Sequence, residues 1–195
     1  EFRRVLFRSA YLRSLNYAGV VSAHDNWLSS QADAVRGQLG WVDMHNYQDL
    51  SLSFDPGAKI EQSSSINNFG RYLTFMAAAR HQNKLFSVTE FGQPFWNRYR
   101  FESGLLPPTL ARFQGWGFAC QHAEPAIDPS YQQPYARKQA LYPYGIGMDP
   151  VTRAGETLAA LIMARGDVTP SPNLVLYDQT SSNAMSGAGV SVAGK

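Results

Sequence analysis

The sequence predicts an α/β fold built on a parallel sheet. Short apolar runs alternate with segments of helical period, the pattern of βα units. Four such runs occur, each followed by a helix or by a loop and a helix. Each run also ends in polar or ionisable residues, as strands do when they deliver side chains to a common rim. A parallel sheet with both faces covered is the simplest packing of these units. Four units make half of an eight-stranded (β/α)8 TIM barrel, or a small open α/β sheet.

The elements follow in order. The first apolar run is 17–24, and 29–39 then reads as a helix with Ala32, Val35 and Leu39 on one face. The second run is 39–47. A polar loop over 48–62 comes next, with Pro56-Gly57 as its turn signal. Residues 65–81 form the stronger helical pattern, because Ile66, Phe69, Leu73, Met76 and Ala77 recur at helical spacing. The third run is 85–90, and a short helix over 105–114 can start at Pro107 or Pro108. The fourth run is 116–122. A long loop over 123–148 carries Tyr131, Tyr135, Tyr142 and Tyr144. The last helix is the best marked: Asp149 can cap it, Pro150 suits its first position, and Gly166 can end it. Val151, Ala154, Leu158, Leu161 and Ile162 would line its inner face. Residues 173–177 read as an exit strand, the start of a following β segment, and the tail from Ser181 is small and polar.

Composition narrows the function classes. Three of the seventeen basic residues and one of the fifteen acidic ones lie in 1–9, leaving fourteen of each in the body. A neutral body offers nothing to nucleic acid or to an anionic membrane. The run Val5-Leu6-Phe7-Arg8-Ser9 resembles a translated sequencing adapter, so residues 1–9 are expected to be a non-native scar. The domain is then 10–166, and 167–195 hold the exit strand and tail. No signal peptide is visible; a cut reading frame would have lost one, and a secreted or periplasmic location is compatible with that. Cys120 is the only cysteine, which excludes an intrachain disulfide; within an apolar run a buried, inert thiol is expected. No stretch reaches the roughly 18 apolar residues of a membrane span.

The strand ends carry the chemistry. They present His24, Asp25, Asn26 and Trp27; then Asp43, His45, Asn46 and Tyr47; then Glu90; then Gln121, His122 and Glu124. One polar strand end is merely solvated; four suggest a shared cleft. Glu90 stands out because it closes an apolar strand and precedes Phe91-Gly92, where glycine permits close approach. From its position alone it could be a nucleophile, a general base, a metal ligand or a structural ion-pair partner.

Val88-Thr-Glu-Phe-Gly92 resembles the seventh-strand motif of the retaining (β/α)8 glycoside hydrolases, the superfamily of cellulases, β-mannanases and β-galactosidases. Asp43-Met-His-Asn-Tyr47 resembles the sixth-strand His-x-Tyr element, and Gln114-Gly-Trp-Gly117 the opening of the eighth strand. Met148-Asp-Pro-Val151 and Arg165-Gly-Asp-Val168 resemble the final helix and the exit from the barrel. The resemblance spans about 15–177, in the family's order. It implies the C-terminal half of a barrel, strands five to eight, with Glu90 as the nucleophile. Substrate would be an oligosaccharide or glycoside, with no cofactor and no metal. His45 is then a candidate sugar ligand. Tyr47 would hydrogen-bond Glu90 and help hold it ionised, or pack at its strand end. Trp27 and Trp96 are loop aromatics that could line subsites. Gln121 and His122 stand where the family often places an aromatic platform, a departure that bears on the sugar bound. Glu124 could bind hydroxyls or be a solvated loop residue, and Arg98 and Arg100 read as solvated or ion-paired loop charges. Retention needs a second carboxylic acid about 5 to 5.5 Å from the first. The family keeps it in an Asn-Glu pair ending the fourth strand; no such pair occurs here, so this chain is expected to be inactive alone.

Two other classes compete. A metal-dependent hydrolase could draw ligands from His24, Asp25, Asp43, His45, Glu90 and His122, and it requires their convergence on one point. A non-catalytic carbohydrate-binding module would use the Tyr-rich loop and the tryptophans as exposed, coplanar platforms.

Overall fold

The computed structural model describes residues 2–26, 28–51, 59–122, 144–147 and 149–176. Trp27, Glu124, the loop tyrosines 131, 135 and 142 and the tail from 177 lie outside the described residues. The elements are α1 (Phe2–Ser14), α2 (Ser30–Arg36), β1 (Trp41–Tyr47), α3 (Arg71–Ala77), β2 (Leu85–Gly92), a 3-10 turn (Arg100–Gly104), α4 (Leu106–Gln114), β3 (Phe118–Gln121) and α5 (Pro150–Arg165). None of the described helices is long and apolar enough to cross a membrane.

The three strands form one parallel sheet in the order β1-β2-β3. Alternation sorts their side chains between two faces. Val42, Met44, Phe86 and Val88 point to one face, where Tyr72, Leu73 and Met76 of α3, Ala111 of α4 and Trp116 close over them in a single core. Trp41, Asp43, His45, Tyr47, Ser87 and Thr89 take the other face, which is polar.

Several elements depart from expectation, each for a local reason. Residues 17–24 form no strand. Asn16 and His24 bound the segment with left-handed backbone, each at φ 60°, a conformation outside the extended region of a strand. The segment stays beside β1 through His45 N, which donates to the Asp25 carbonyl at 2.5 Å, and through Arg36 Nη1, which donates to the His24 carbonyl at 2.6 Å. The helix expected over 65–81 shortens to α3, because Phe69 and Gly70 also adopt positive φ and break the helical run. Ile66 and Phe69 are consequently exposed rather than buried. Residues 173–176 form no strand either. Ser171 N ties the chain to the end of α4 at the Phe113 carbonyl, 2.8 Å away, and no described strand lies alongside 173–176 to pair with them.

Helix α5 has the expected boundaries. The Asp149 side chain accepts from Val151 N, Pro150 opens the helix, and Gly166 ends it at φ 74°. Its buried face is only partly the one expected: Ile162 points inward as expected, together with Thr152 and Gly155, whereas Leu158 and Leu161 are exposed. Gly155 packs backbone to backbone on Gly104, where a Cβ added to Gly104 would meet the Gly155 Cα at 2.4 Å. That approach sets the rotation of the helix. Arg100 pairs with Asp149 through Nε at 2.5 Å and Nη2 at 3.0 Å, so it is an ion-paired loop charge. Residues 2–9, expected to stand outside the fold, form the first part of α1; Phe7 and Tyr11 on this helix are exposed.

Candidate active site

Glu90 owes its direction to a break in register. Met44 pairs with Val88, but His45 pairs with Glu90, so β2 carries one extra residue opposite β1 at this point. The same excess appears against β3, where Val88 pairs with Ala119 and Phe91 with Gln121. In strict alternation Glu90 would follow Phe86 and Val88 into the core. The bulge instead sends Phe91 into the core, where it is 2% exposed, and turns Glu90 to the polar face. The site therefore lies at the C-terminal end of the central strand, where α/β sheets bind ligands.

Four residues meet there. The Tyr47 hydroxyl donates to Glu90 Oε2 at 2.6 Å. His45 Nδ1 lies 3.6 Å and His122 Nε2 lies 3.9 Å from Glu90 Oε1. The Glu90 side chain is 33% exposed, shielded by the sheet yet reachable. Gly92 completes the geometry: a Cβ there would sit 3.8 Å from both the Tyr47 ring and the His122 carbonyl. Beneath this group His45 Nε2 contacts Asp43 Oδ2 at 3.2 Å and Thr89 Oγ1 at 2.6 Å.

The electrostatics favour a charged imidazole. Burial pushes His45 down, but its hydrogen bond to Asp43 and the charges of Asp25, Glu90 and Asp43 outweigh that, and its pKa rises above the ordinary 6.5. Burial pushes Asp43 up, but hydrogen bonds from His45, Ser87 and Thr89 outweigh it, and its pKa falls below 3.8.

The remaining expected site residues divide. Gln121 shares the core-side face with Ala119, because strand alternation separates it from His122. Trp96 lies half exposed in the loop after β2, its ring 5.0 Å from Phe95 and its carbonyl accepting from Gln62 Nε2. Trp27 and Glu124 are outside the described residues. Cys120 is exposed, contrary to expectation, because alternation places it on the polar face. A polar cavity of about 380 Å³, lined by Glu61, Gln62, Asn67, Asn68 and Tyr99 among others, is separate: none of the Glu90 group lines it.

The Tyr-rich loop is expected over this end of the sheet, and its last tyrosine, Tyr144, does reach the site. Its ring meets Tyr47 edge-on at 4.8 Å and His122 at 6.3 Å, so it walls the side of the cluster. Asp43 is visible in the sequence as a polar strand-end residue and Thr89 only as a strand residue; no signal there reports that they share a hydrogen bond. Among the described residues no group of three or more His, Cys, Asp or Glu has the geometry to hold a metal ion. The chain matches no protein-family model, no curated protein and no solved structure with which it was compared.

Proposed function

We propose that this chain is part of a retaining glycoside hydrolase, the C-terminal half of a (β/α)8 barrel, with Glu90 as its nucleophile. The observation that carries the reading is the Tyr47 hydroxyl at 2.6 Å from the Glu90 carboxylate at the C-terminal end of a parallel sheet. A tyrosine donor orients one carboxylate oxygen and leaves the other turned toward His45 and His122. In the reaction a Glu90 oxygen bonds to the anomeric carbon as the bond from that carbon to the leaving oxygen breaks. A second carboxylic acid protonates the leaving oxygen, then takes a proton from the water that releases the sugar. The family pattern assigns that acid to an Asn-Glu pair that this sequence does not contain, so steady turnover is not expected of the chain by itself. His45 and His122 flank the carboxylate where sugar hydroxyls would lie.

The test avoids the need for an acid. A 2-deoxy-2-fluoroglycosyl fluoride loses fluoride without protonation and leaves a stable ester on the nucleophile. Incubation with gluco, manno, galacto and xylo probes should add the mass of one fluoroglycosyl unit to the peptide containing Glu90. The Glu90→Gln chain should gain none. Absence of label with all four probes, or label on another residue, would sink the reading.

A further inference from the structure

We propose that Asp43 is a positioning residue for this site: with Thr89 it fixes the His45 ring so that an Nδ1–H faces Glu90. Its importance to catalysis rests on the reading of Glu90 as nucleophile; the relay itself stands on proton counting.

Asp43 is 5% exposed and accepts four hydrogen bonds. Ser87 Oγ donates to Oδ1, and the Ser87 oxygen in turn accepts from Trp41 Nε1 at 2.8 Å. Thr89 N donates to the same Oδ1 at 3.1 Å. The Thr89 hydroxyl donates to Oδ2. A threonine hydroxyl has one proton, and here it is spent on the carboxylate, which can only accept. The 2.6 Å contact between Thr89 Oγ1 and His45 Nε2 therefore uses a proton on Nε2. Oδ2 of Asp43, 3.2 Å from the same nitrogen, shares it.

With Nε2 protonated, only two states remain for the ring. A neutral ring would turn its Nδ1 lone pair onto Glu90 Oε1, 3.6 Å away, and repel it. A doubly protonated ring presents an N–H there and is attracted. The surroundings select the second state. Asp25 Oδ2 lies 3.9 Å from Nε2, Asp43 and Glu90 lie to either side, and His122 contacts Glu90 from the β3 side. Tyr47 from β1 holds the other Glu90 oxygen, and Cys120 of β3 also feels the Asp43 charge. Asp43 thus acts on Glu90 at one remove, through a ring whose orientation and charge it sets.

The experiment is a histidine titration of the whole chain by long-range proton–nitrogen NMR, with His45 assigned from its loss in His45→Gln. In the unsubstituted chain the His45 resonances should show both nitrogens protonated to a higher pH than an ordinary histidine allows. Asp43→Asn should move that midpoint to lower pH. Thr89→Val keeps the shape and leaves Asp43 paired with Ser87, so it stays informative if Asp43→Asn fails to fold. It should also lower the midpoint. An unmoved His45 midpoint in folded Thr89→Val or Asp43→Asn overturns the relay. Fluoroglycosyl labelling of Glu90 is read separately. An intact relay with no label refutes the glycosidase reading alone, and an unmoved His45 in a chain that still labels refutes the relay alone.

Discussion

At the scale of single residues, the site turns on which oxygen of Glu90 is held and by what. Tyr47→Phe removes the donor on Oε2 and nothing else of the ring, which keeps its packing on Tyr144. A hydrogen bond to a charged group contributes about 1.5–3 kcal/mol, so labelling of Glu90 by a fluoroglycosyl fluoride should slow by roughly 10- to 100-fold. A rate equal to that of the unsubstituted chain, followed by mass spectrometry over time, would show that Tyr47 only packs. Glu90, His45 and Tyr47 are legible as a group in the sequence because all three sit near the ends of apolar runs. Asp43 is legible as polar but not as buried, since a carboxylate two residues before a histidine has no signature of its own. Gln121 and His122 are neighbours in sequence yet fall on opposite faces, because β3 retains strict alternation to its end. Tyr144 is legible as part of a tyrosine-rich loop expected over this end of the sheet, but its particular contact with Tyr47 is made only by the fold.

Elements are legible where their ends carry their own chemistry. The caps of α5 and the proline-opened start of α4 need only the local backbone, and both are visible in the sequence. The inner face of α5 is legible only at Ile162. Its periodicity points to Leu158 and Leu161, but the rotation is set by the contact of Gly155 with Gly104, a glycine of the 3-10 turn on the far side of α4 and β3 in the chain. Gly104→Ala would place a methyl against backbone at 2.4–2.9 Å, a clash that side-chain rotation cannot relieve. It should destabilise the chain by about 1–3 kcal/mol, read as a lower urea midpoint at unchanged slope. A midpoint within error of the unsubstituted protein would mean that α5 does not depend on this approach. The bulge in β2 is the element-scale feature hardest to foresee. Alternation in Phe86-Ser-Val-Thr-Glu predicts a buried Glu90, and only pairing with both neighbours shows the extra residue that turns it out.

For the molecule as a whole, the titrating groups set a pH window. The His45 pKa is raised on folding, so its contribution to stability is fully present below about pH 6.5 and is lost as pH climbs through the folded value. Asp43 and Asp149 are lowered, the second because hydrogen bonds from Arg100 and Thr152 outweigh its burial. Their contributions are present above 3.8 and are lost as pH falls through the folded values. From these groups, stability should peak between about pH 4 and 6.5 and decline on both sides. Urea midpoints measured from pH 3 to 9 check this, and a midpoint still rising from pH 6.5 to 8 would contradict it. The fold divides its sheet into an apolar face and a polar one, and that division has a practical corollary. Cys120, the sole thiol of this sequence, stands on the polar face opposite the bulge that aims Glu90. A fluorophore or spin label coupled there would occupy one defined position without any engineered cysteine. It would sit on the strand next to Glu90, where its emission or mobility could report ligand arrival directly, independent of any chemistry the carboxylate performs.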